Sequence, residues 1–138
     1  MKRLRILAVG RLKTPHWQAA ASHYLERLSR GYDVNESLAK DADPALPSDQ
    51  RKAREAEALL KLVRPGDLLI CMDAQGQQLS SPQLAAFLEN VFSNGRTPCF
   101  VIGGAYGLGA DILSAAAKRF SFGPMTFPHE LARVMLLE

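Results

Sequence analysis

The sequence predicts an α/β fold with a mostly parallel sheet and helices on both faces. Strand signals alternate with helix signals along the 138 residues, the order expected where each strand is followed by a crossover helix. Residues 67–73 and 99–102 are almost continuously apolar, as strands covered on both faces are. A chain of this length forms one core, so we expect a single domain over residues 1–138.

The first strand and helix are predicted close to the N-terminus. Residues 4–9 are apolar except at Arg5 and predict a largely buried strand. Thr14 is the predicted N-cap of the first helix, because a proline follows it at the first helical position, and Gly31 ends that helix. Residues 32–38 have mixed polarity and predict a weaker second strand.

Two further helices are predicted on either side of the buried strand at residues 67–73. Ser48 is predicted to cap the earlier of them, and Ser81, followed by a proline, to cap the later one. Between them, the strand is predicted to end in a turn at residues 74–78, centred on Gly76.

Composition excludes several classes of protein. No apolar run approaches the ~20 residues of a membrane-spanning helix, and the N-terminal run is too short for a signal peptide, so we expect a cytoplasmic protein. Cys71 and Cys99 lie in apolar runs, where buried thiols are favoured over a disulfide. The three histidines make no metal-ligand pattern, and no metal is expected. The net charge of +3 permits attraction to phosphate without establishing it.

Residues 103–109 contain four glycines in seven positions, directly after the predicted strand at residues 99–102. Glycine lets a backbone turn tightly and approach a ligand, and the carboxyl ends of parallel strands are where open α/β sheets bind ligands. The segment matches neither the dinucleotide-binding fingerprint nor a P-loop. Taken alone, it is equally consistent with a simple turn from strand to helix.

Two longer segments resemble a known family. Residues 100–108, FVIGGAYGL, and residues 120–133, FSFGPMTFPHELAR, are similar to motifs of the ribosomal RNA large subunit methyltransferase H family, a minimal branch of the SPOUT class of knotted methyltransferases. The similarity extends from residues 7–10 through residues 81–85 to the last residue. The resemblance implies a homodimer and a C-terminal trefoil knot, an exception to the rule that chains do not thread loops.

The resemblance also implies a reaction and a cofactor. The reaction is methylation of N3 of a pseudouridine in 23S ribosomal RNA, with the free RNA or the assembled ribosome as partner. The cofactor is S-adenosylmethionine, held between three loops. Carried over position by position, these loops give the following residues: Met72, Gly103, Phe122, Gly123, Pro124, Met125, Thr126 and Phe127. The family usually has leucine where this chain has methionine, a volume-conserving change.

His129 and Arg133 are the predicted catalytic residues. The imide nitrogen must lose its proton near the moment of transfer, so a base or a stabilising cation is expected close to the implied cofactor loop. The two residues are four apart on the predicted last helix and therefore share one face. A packing or helix-terminal role for the histidine, and a salt bridge or phosphate contact for the arginine, are open alternatives.

Basic residues near the N-terminus are the predicted contacts to the RNA backbone, because hairpin loops present phosphates to Arg and Lys side chains. These residues are Arg3, Arg5, Arg11 and Lys13. Solubility explains their charge equally well.

Members of the family continue beyond the position of Glu138 into a further helix and a tail that is thought to close over cofactor and substrate. We therefore expect this chain to be truncated at its C-terminus, with Met135, Leu136 and Leu137 exposed. A non-catalytic protein of the same fold, which binds the cofactor or RNA, is the alternative. A third interpretation is an unrelated α/β protein whose glycine loop binds a phosphate.

Overall fold

The computed structural model describes residues 2–138, which form a five-stranded sheet and five helices. The strands are β1 (Lys2–Val9), β2 (Tyr32–Ala39), β3 (Asp67–Gln78), β4 (Thr97–Ile102) and β5 (Lys118–Ser121). The helices are α1 (Pro15–Ser29), α2 (Ser48–Leu60), α3 (Ser81–Ser93), α4 (Ala110–Ala115) and α5 (His129–Leu137). All paired strands are parallel, in the order β2-β1-β4-β3-β5. The predicted α/β class is confirmed, while the trefoil knot stays a prediction.

Helices cover both faces of the sheet because the strands alternate their apolar side chains between the two sides. Leu7 of β1 packs with Leu59 of α2 and Ile112 of α4 in one cluster. Its neighbour Ile6 packs on the opposite face, against α1 and against Val134 of α5. Beside this second cluster, α3 covers the same face over β3, β4 and β5. The sheet is therefore the middle of three layers.

The predicted turn at residues 74–78 is wrong, since β3 continues through them. Met72 and Gln77 both oppose Phe120 of β5, so the four residues between them bulge out of the strand. A Cβ on Gly76 would lie 2.7 Å from the backbone of β5. This glycine permits a close approach of two strands, and its sequence signal was mistaken for a turn.

Two helix caps also differ from the prediction. Pro47 is the N-cap of α2, and Ser48 is already helical and makes no cap hydrogen bond. In α3 the cap is Ser80, not Ser81. The Ser80 hydroxyl accepts from the Gln83 amide, and the Gln83 side chain accepts from the Ser80 amide. This reciprocal capping box places the helix start.

Arg5 is buried rather than available to RNA, so its predicted role is wrong. Only 5% of the residue is exposed, because β1 lies between β2 and β4 and its residues from Leu4 onward are buried. Its guanidinium forms an ion pair with Asp67 of β3 and donates to Asn35 and Ser37 of β2. The side chain joins three strands.

The last helix is better covered than predicted. Leu137 is only 2% exposed and packs with Ile6, Leu12, Ala21 and Val134, while Met135 and Leu136 are half-buried. The expected exposure of Leu137 is therefore wrong, because α5 lies along α1 and turns this side chain into the core. None of the helices within residues 2–138 has the length and apolar character needed to cross a membrane.

Candidate functional site

A cavity of about 720 Å³ opens at the carboxyl edge of the sheet. Its walls come from the bulge of β3, the glycine loop after β4, the loop after β5 and the start of α5. Small-molecule sites in proteins commonly measure about 300–1,000 Å³ and favour this edge of α/β sheets. The position and size of the cavity fit a bound organic ligand.

The cavity brings together three segments that are distant in sequence, and seven of the eight predicted cofactor residues line it. They are Met72, Gly103, Phe122, Gly123, Met125, Thr126 and Phe127. Pro124 belongs to the same loop as the last five but is not one of the lining residues. The assignment of these side chains to a cofactor stays a prediction.

The glycine loop folds back on itself beside the cavity. The Gly107 amide donates to the Gly104 carbonyl at 3.1 Å, and Gly107 has a φ of 85°, which disfavours other residues. A Cβ on Gly103 would lie 2.5 Å from the backbone carbonyl carbon of Gly107. The loop can therefore keep this shape only with glycine at position 103.

Ser121 connects the β3 bulge to the loop after β5. Its hydroxyl oxygen lies 3.0 Å from the Ala74 carbonyl and 2.8 Å from the Gly123 carbonyl, and it accepts from the Gly123 amide at 2.9 Å. Gly123 has a φ of 136°. Sequence reasoning missed this serine, although a Ser two residues before a Gly is a turn signal.

The structure places His129 and Arg133 in different surroundings. His129 begins α5, is half-buried and lines the cavity. One turn later, the buried Arg133 guanidinium donates to the Gly10 carbonyl at 2.9 Å and to Glu36 at 3.4 Å, and its Nε has no partner within residues 2–138. Arg133 is not among the lining residues. Both catalytic assignments stay predictions.

Asp73 is a cavity residue that sequence reasoning missed, and it is the one carboxylate among the lining residues of the described chain. It is half-buried, and its Oδ1 accepts from the Gln75 amide at 3.5 Å. No cation lies within ion-pair distance of it in residues 2–138. The available signal was its position, directly after Met72 at the end of a buried run.

The remaining basic residues proposed for RNA do not form one patch. Arg11 and Lys13 are exposed in the loop that follows β1, at the same edge of the sheet as the cavity, and Lys13 lies 3.8 Å from Asp41. Arg3 is near the opposite end of β1, about 20 Å away at ~3.3 Å per residue. Its guanidinium pairs with Asp33 at 3.8 Å. Only the first two are placed beside the cavity.

Both cysteines are buried in the sheet, outside the lining of the cavity. Burial raises the pKa of the Cys71 thiol to about 11 and that of the Cys99 thiol to about 12. Both thiols are therefore protonated at neutral pH and are poor nucleophiles. Within residues 2–138, no cluster of three His, Cys, Asp or Glu side chains is placed to hold a metal ion.

A family model described as "Predicted SPOUT methyltransferase" matches residues 1–138. The chain belongs to the SPOUT methyltransferase family. Among SPOUT relatives, the ribosomal RNA large subunit methyltransferase H of Nitratidesulfovibrio vulgaris (strain Miyazaki F) is 53% identical over 100% of this chain and 90% of its own length. The family resemblance is confirmed.

Proteins with the same name in two other bacteria are also similar. That of Oleidesulfovibrio alaskensis is 48% identical over 100% of this chain and 90% of its own length. That of Lawsonia intracellularis is 46% identical over 99% of this chain and 88% of its own length. The chain thus spans about nine-tenths of each of these SPOUT relatives.

Proposed function

We propose that this SPOUT methyltransferase transfers the methyl group of S-adenosylmethionine to N3 of a pseudouridine in 23S ribosomal RNA. The observation that carries the proposal is the meeting of three loops, from residues 72–74, 103–108 and 122–128, around one cavity. Relatives 46–53% identical to the chain are named ribosomal RNA large subunit methyltransferases. A cytoplasmic homodimer with a C-terminal trefoil knot belongs to the same proposal.

The cavity residues fit such a cofactor. Phe122, Met125 and Phe127 offer apolar surface for an adenine ring, which gains affinity from aromatic and apolar walls. Gly103 and Gly104 let the backbone come close to the ligand. The carboxylate of Asp73 also lines the cavity and has no ion-pair partner among residues 2–138. Its negative charge would attract the positive sulfonium of the cofactor.

The reaction requires a proton acceptor and a dry, oriented site. The chemistry supplied by bound S-adenosylmethionine is an electrophilic methyl carbon on a sulfonium. Held by the loops at residues 72–74, 103–108 and 122–128, the cofactor would supply this methyl carbon to N3 and would leave as neutral S-adenosylhomocysteine. The imidazole of His129, which faces the cavity, accepts the N3 proton in our proposal. The protein otherwise contributes orientation and exclusion of water.

Arg133 has a different role in this proposal, that of a positioning residue. Its guanidinium ties α5 to the Gly10 carbonyl, at 2.9 Å, and so fixes the helix whose first residue is His129. The burial of Arg133 outside the cavity lining favours a second candidate function. Without this predicted catalytic cation, the site would bind the cofactor but would not turn over.

Calorimetric titration with S-adenosylhomocysteine tests the site, with NAD and ATP as controls. Selective binding of S-adenosylhomocysteine is the expected result, and no binding would contradict both candidate functions. A second measurement follows transfer of labelled methyl to ribosomes that lack the modification. Transfer to 23S RNA supports the enzyme, whereas binding without transfer supports the non-catalytic candidate.

A further inference from the structure

Three of the four large hydrophobic side chains that are exposed within residues 2–138 stand around the mouth of the cavity. Tyr106 is 56% exposed, Met125 is 72% exposed and Phe122 is 39% exposed, whereas the fourth, Leu38, lies outside the cavity. Exposed apolar side chains that are scattered singly need no explanation, but a group at one site marks a contact surface. Phe122 and Met125 are already assigned to the adenine ring, so Tyr106 is the member of this group that has no assigned contact.

Arg51 of α2 lies next to the ring of Tyr106. The Arg51 guanidinium carbon lies 5.4 Å from the centre of the tyrosine ring. Arg51 Nε in turn lies 3.5 Å from a carboxylate oxygen of Glu55, which is only 3% exposed and also accepts from the Ala42 amide at 3.4 Å. A cation at this distance is attracted to the face of the ring and favours one ring orientation, while the ring stays exposed. An exposed but oriented ring loses little entropy when a ligand stacks on it.

Tyr106 combines an exposed ring with a cation beside it, and this pair suits a nucleic-acid base. Lys52 and Arg54 follow Arg51 on α2, and Arg54 is exposed. Asp49, Glu55 and Glu57 of the same helix balance these three cations in number, so the contact of Arg51 with the ring, and not net charge, favours a base here. This part of α2 touches the end of the glycine loop, since a Cβ on Gly109 would lie 2.7 Å from the Lys52 carbonyl oxygen. S-adenosylmethionine carries no phosphate, whereas RNA carries one for every nucleotide. An aromatic ring next to cations is the combination that binds unstacked bases and their phosphates.

We infer that Tyr106 is the stacking platform for the RNA base that enters the cavity, with Arg51 as its positioning residue. The inference rests on the proposed function, because it requires an RNA substrate. Every base has a π-face, so stacking supplies affinity and orientation without reading the base's identity. Tyr106 then contacts the substrate and contributes nothing to cofactor affinity.

The test compares Tyr106→Leu, Tyr106→Phe and Arg51→Gln with the wild-type chain, and uses Leu38→Ala as a matched loss of exposed apolar surface away from the cavity. The steady-state kcat and KM for ribosomes lacking the modification are measured at saturating S-adenosylmethionine, and S-adenosylhomocysteine affinity by calorimetry. Stacking is worth about 1–3 kcal/mol per base. We expect Tyr106→Leu to lower kcat/KM about 5- to 150-fold, mainly through KM, with S-adenosylhomocysteine affinity unchanged.

The other variants separate the ring from its support. Tyr106→Phe keeps the ring and should retain wild-type kcat/KM, Leu38→Ala should do the same, and Arg51→Gln should raise KM less than Tyr106→Leu does. Three results would each overturn the assignment of Tyr106 as the stacking platform. They are an unchanged kcat/KM in Tyr106→Leu, an equal loss of kcat/KM in Tyr106→Phe, and weakened S-adenosylhomocysteine binding in Tyr106→Leu.

The wild-type chain alone shows whether the proposed function fails. If it binds ribosomes without methylating them, the dissociation constants of the wild type and the variants for ribosomes are compared in place of kcat/KM. A wild-type chain that neither binds nor methylates ribosomes overturns both the RNA substrate and the platform.

Discussion

Gly103 and Asp73 face the same cavity from neighbouring strands and act on it through different physics. Gly103 follows β4, where the absence of a side chain leaves room for the backbone of Gly107. Asp73 lies in the β3 bulge and brings a negative charge to the wall. We therefore expect Gly103 to act on the shape of the cavity and Asp73 to act on its preference for charge.

Gly103→Ala should weaken binding of S-adenosylhomocysteine. Its Cβ would stand 2.5 Å from the Gly107 backbone, so the loop must move, at a cost of about 1–3 kcal/mol and about 5- to 150-fold in affinity. Calorimetry measures the loss, and circular dichroism checks that the variant folds. Gly31→Ala is the matched control, because nothing lies within 4 Å of a Cβ there. Equal affinity of the two variants would contradict the role of the loop.

Asp73→Asn should reduce the preference for S-adenosylmethionine over S-adenosylhomocysteine. Only the first ligand carries a sulfonium, so removal of a half-buried carboxylate weakens its binding selectively. We expect the ratio of the two affinities to fall several-fold, on the order of 1 kcal/mol. Parallel titrations of both ligands measure the ratio, and a uniform loss for both would show that Asp73 acts on shape instead.

Between elements, polar side chains tie the strands and helices that bring the cavity loops together. Arg5 joins β1 to β2 and β3, and Arg133 joins α5 to the end of β1. These contacts explain why two basic residues in a surface-like pattern are buried. Sequence reasoning could not detect them, because their partners Asp67 and Glu36 lie 62 and 97 residues away.

Arg5→Met should be strongly destabilising, and Arg3→Met on the same strand provides the control. Removing one partner of a buried ion pair leaves the other charge unpaired, which costs about 3–5 kcal/mol. Arg5 and Asp67 have side chains only 6% and 2% exposed, whereas those of Arg3 and Asp33 are 76% and 63% exposed. The exposed pair is worth about 1 kcal/mol or less. Urea unfolding compares the variants, and similar free energies of unfolding would contradict this account.

The predictable parts of the site were those carried by local sequence motifs. The glycines at 103–109 form a contiguous run with its own pattern, whereas the segment at 122–127 was implied only by the family resemblance. Tyr106 and Ser121 gain their surroundings from residues 51 and 74, which only the fold brings close. Gly76 was assigned to a turn because a glycine signal does not reveal whether it serves a turn or a bulge.

Over the whole molecule, the two buried thiols affect the dependence of stability on pH. Burial raises the pKa of the Cys71 thiol to about 11 and that of the Cys99 thiol to about 12, from an ordinary pKa of 9.0. Below pH 9 both states keep these protons and the thiols do not alter stability. Above pH 9 the unfolded chain loses them first, so stability falls until the folded values are reached.

Urea unfolding between pH 8 and 10.5 should therefore show an alkaline loss of stability that depends on cysteine. Each thiol contributes a slope approaching about 1.4 kcal/mol per pH unit above pH 9. The variant carrying Cys71→Ala and Cys99→Ala, compared over the same range, separates this slope from that of lysines and tyrosines. The same slope in the variant and the wild type would show that the thiols are not responsible.

The parallel sheet also determines when the cavity exists during folding. No two neighbouring strands are joined by a hairpin, so each pairing must close a long loop of chain first, which makes folding slow. The cavity forms only when β3, β4 and β5 lie side by side. A partly folded chain therefore has no site at which the cofactor can bind. Bound cofactor should slow unfolding and leave the folding rate unchanged, and in this way it lengthens the lifetime of the native protein.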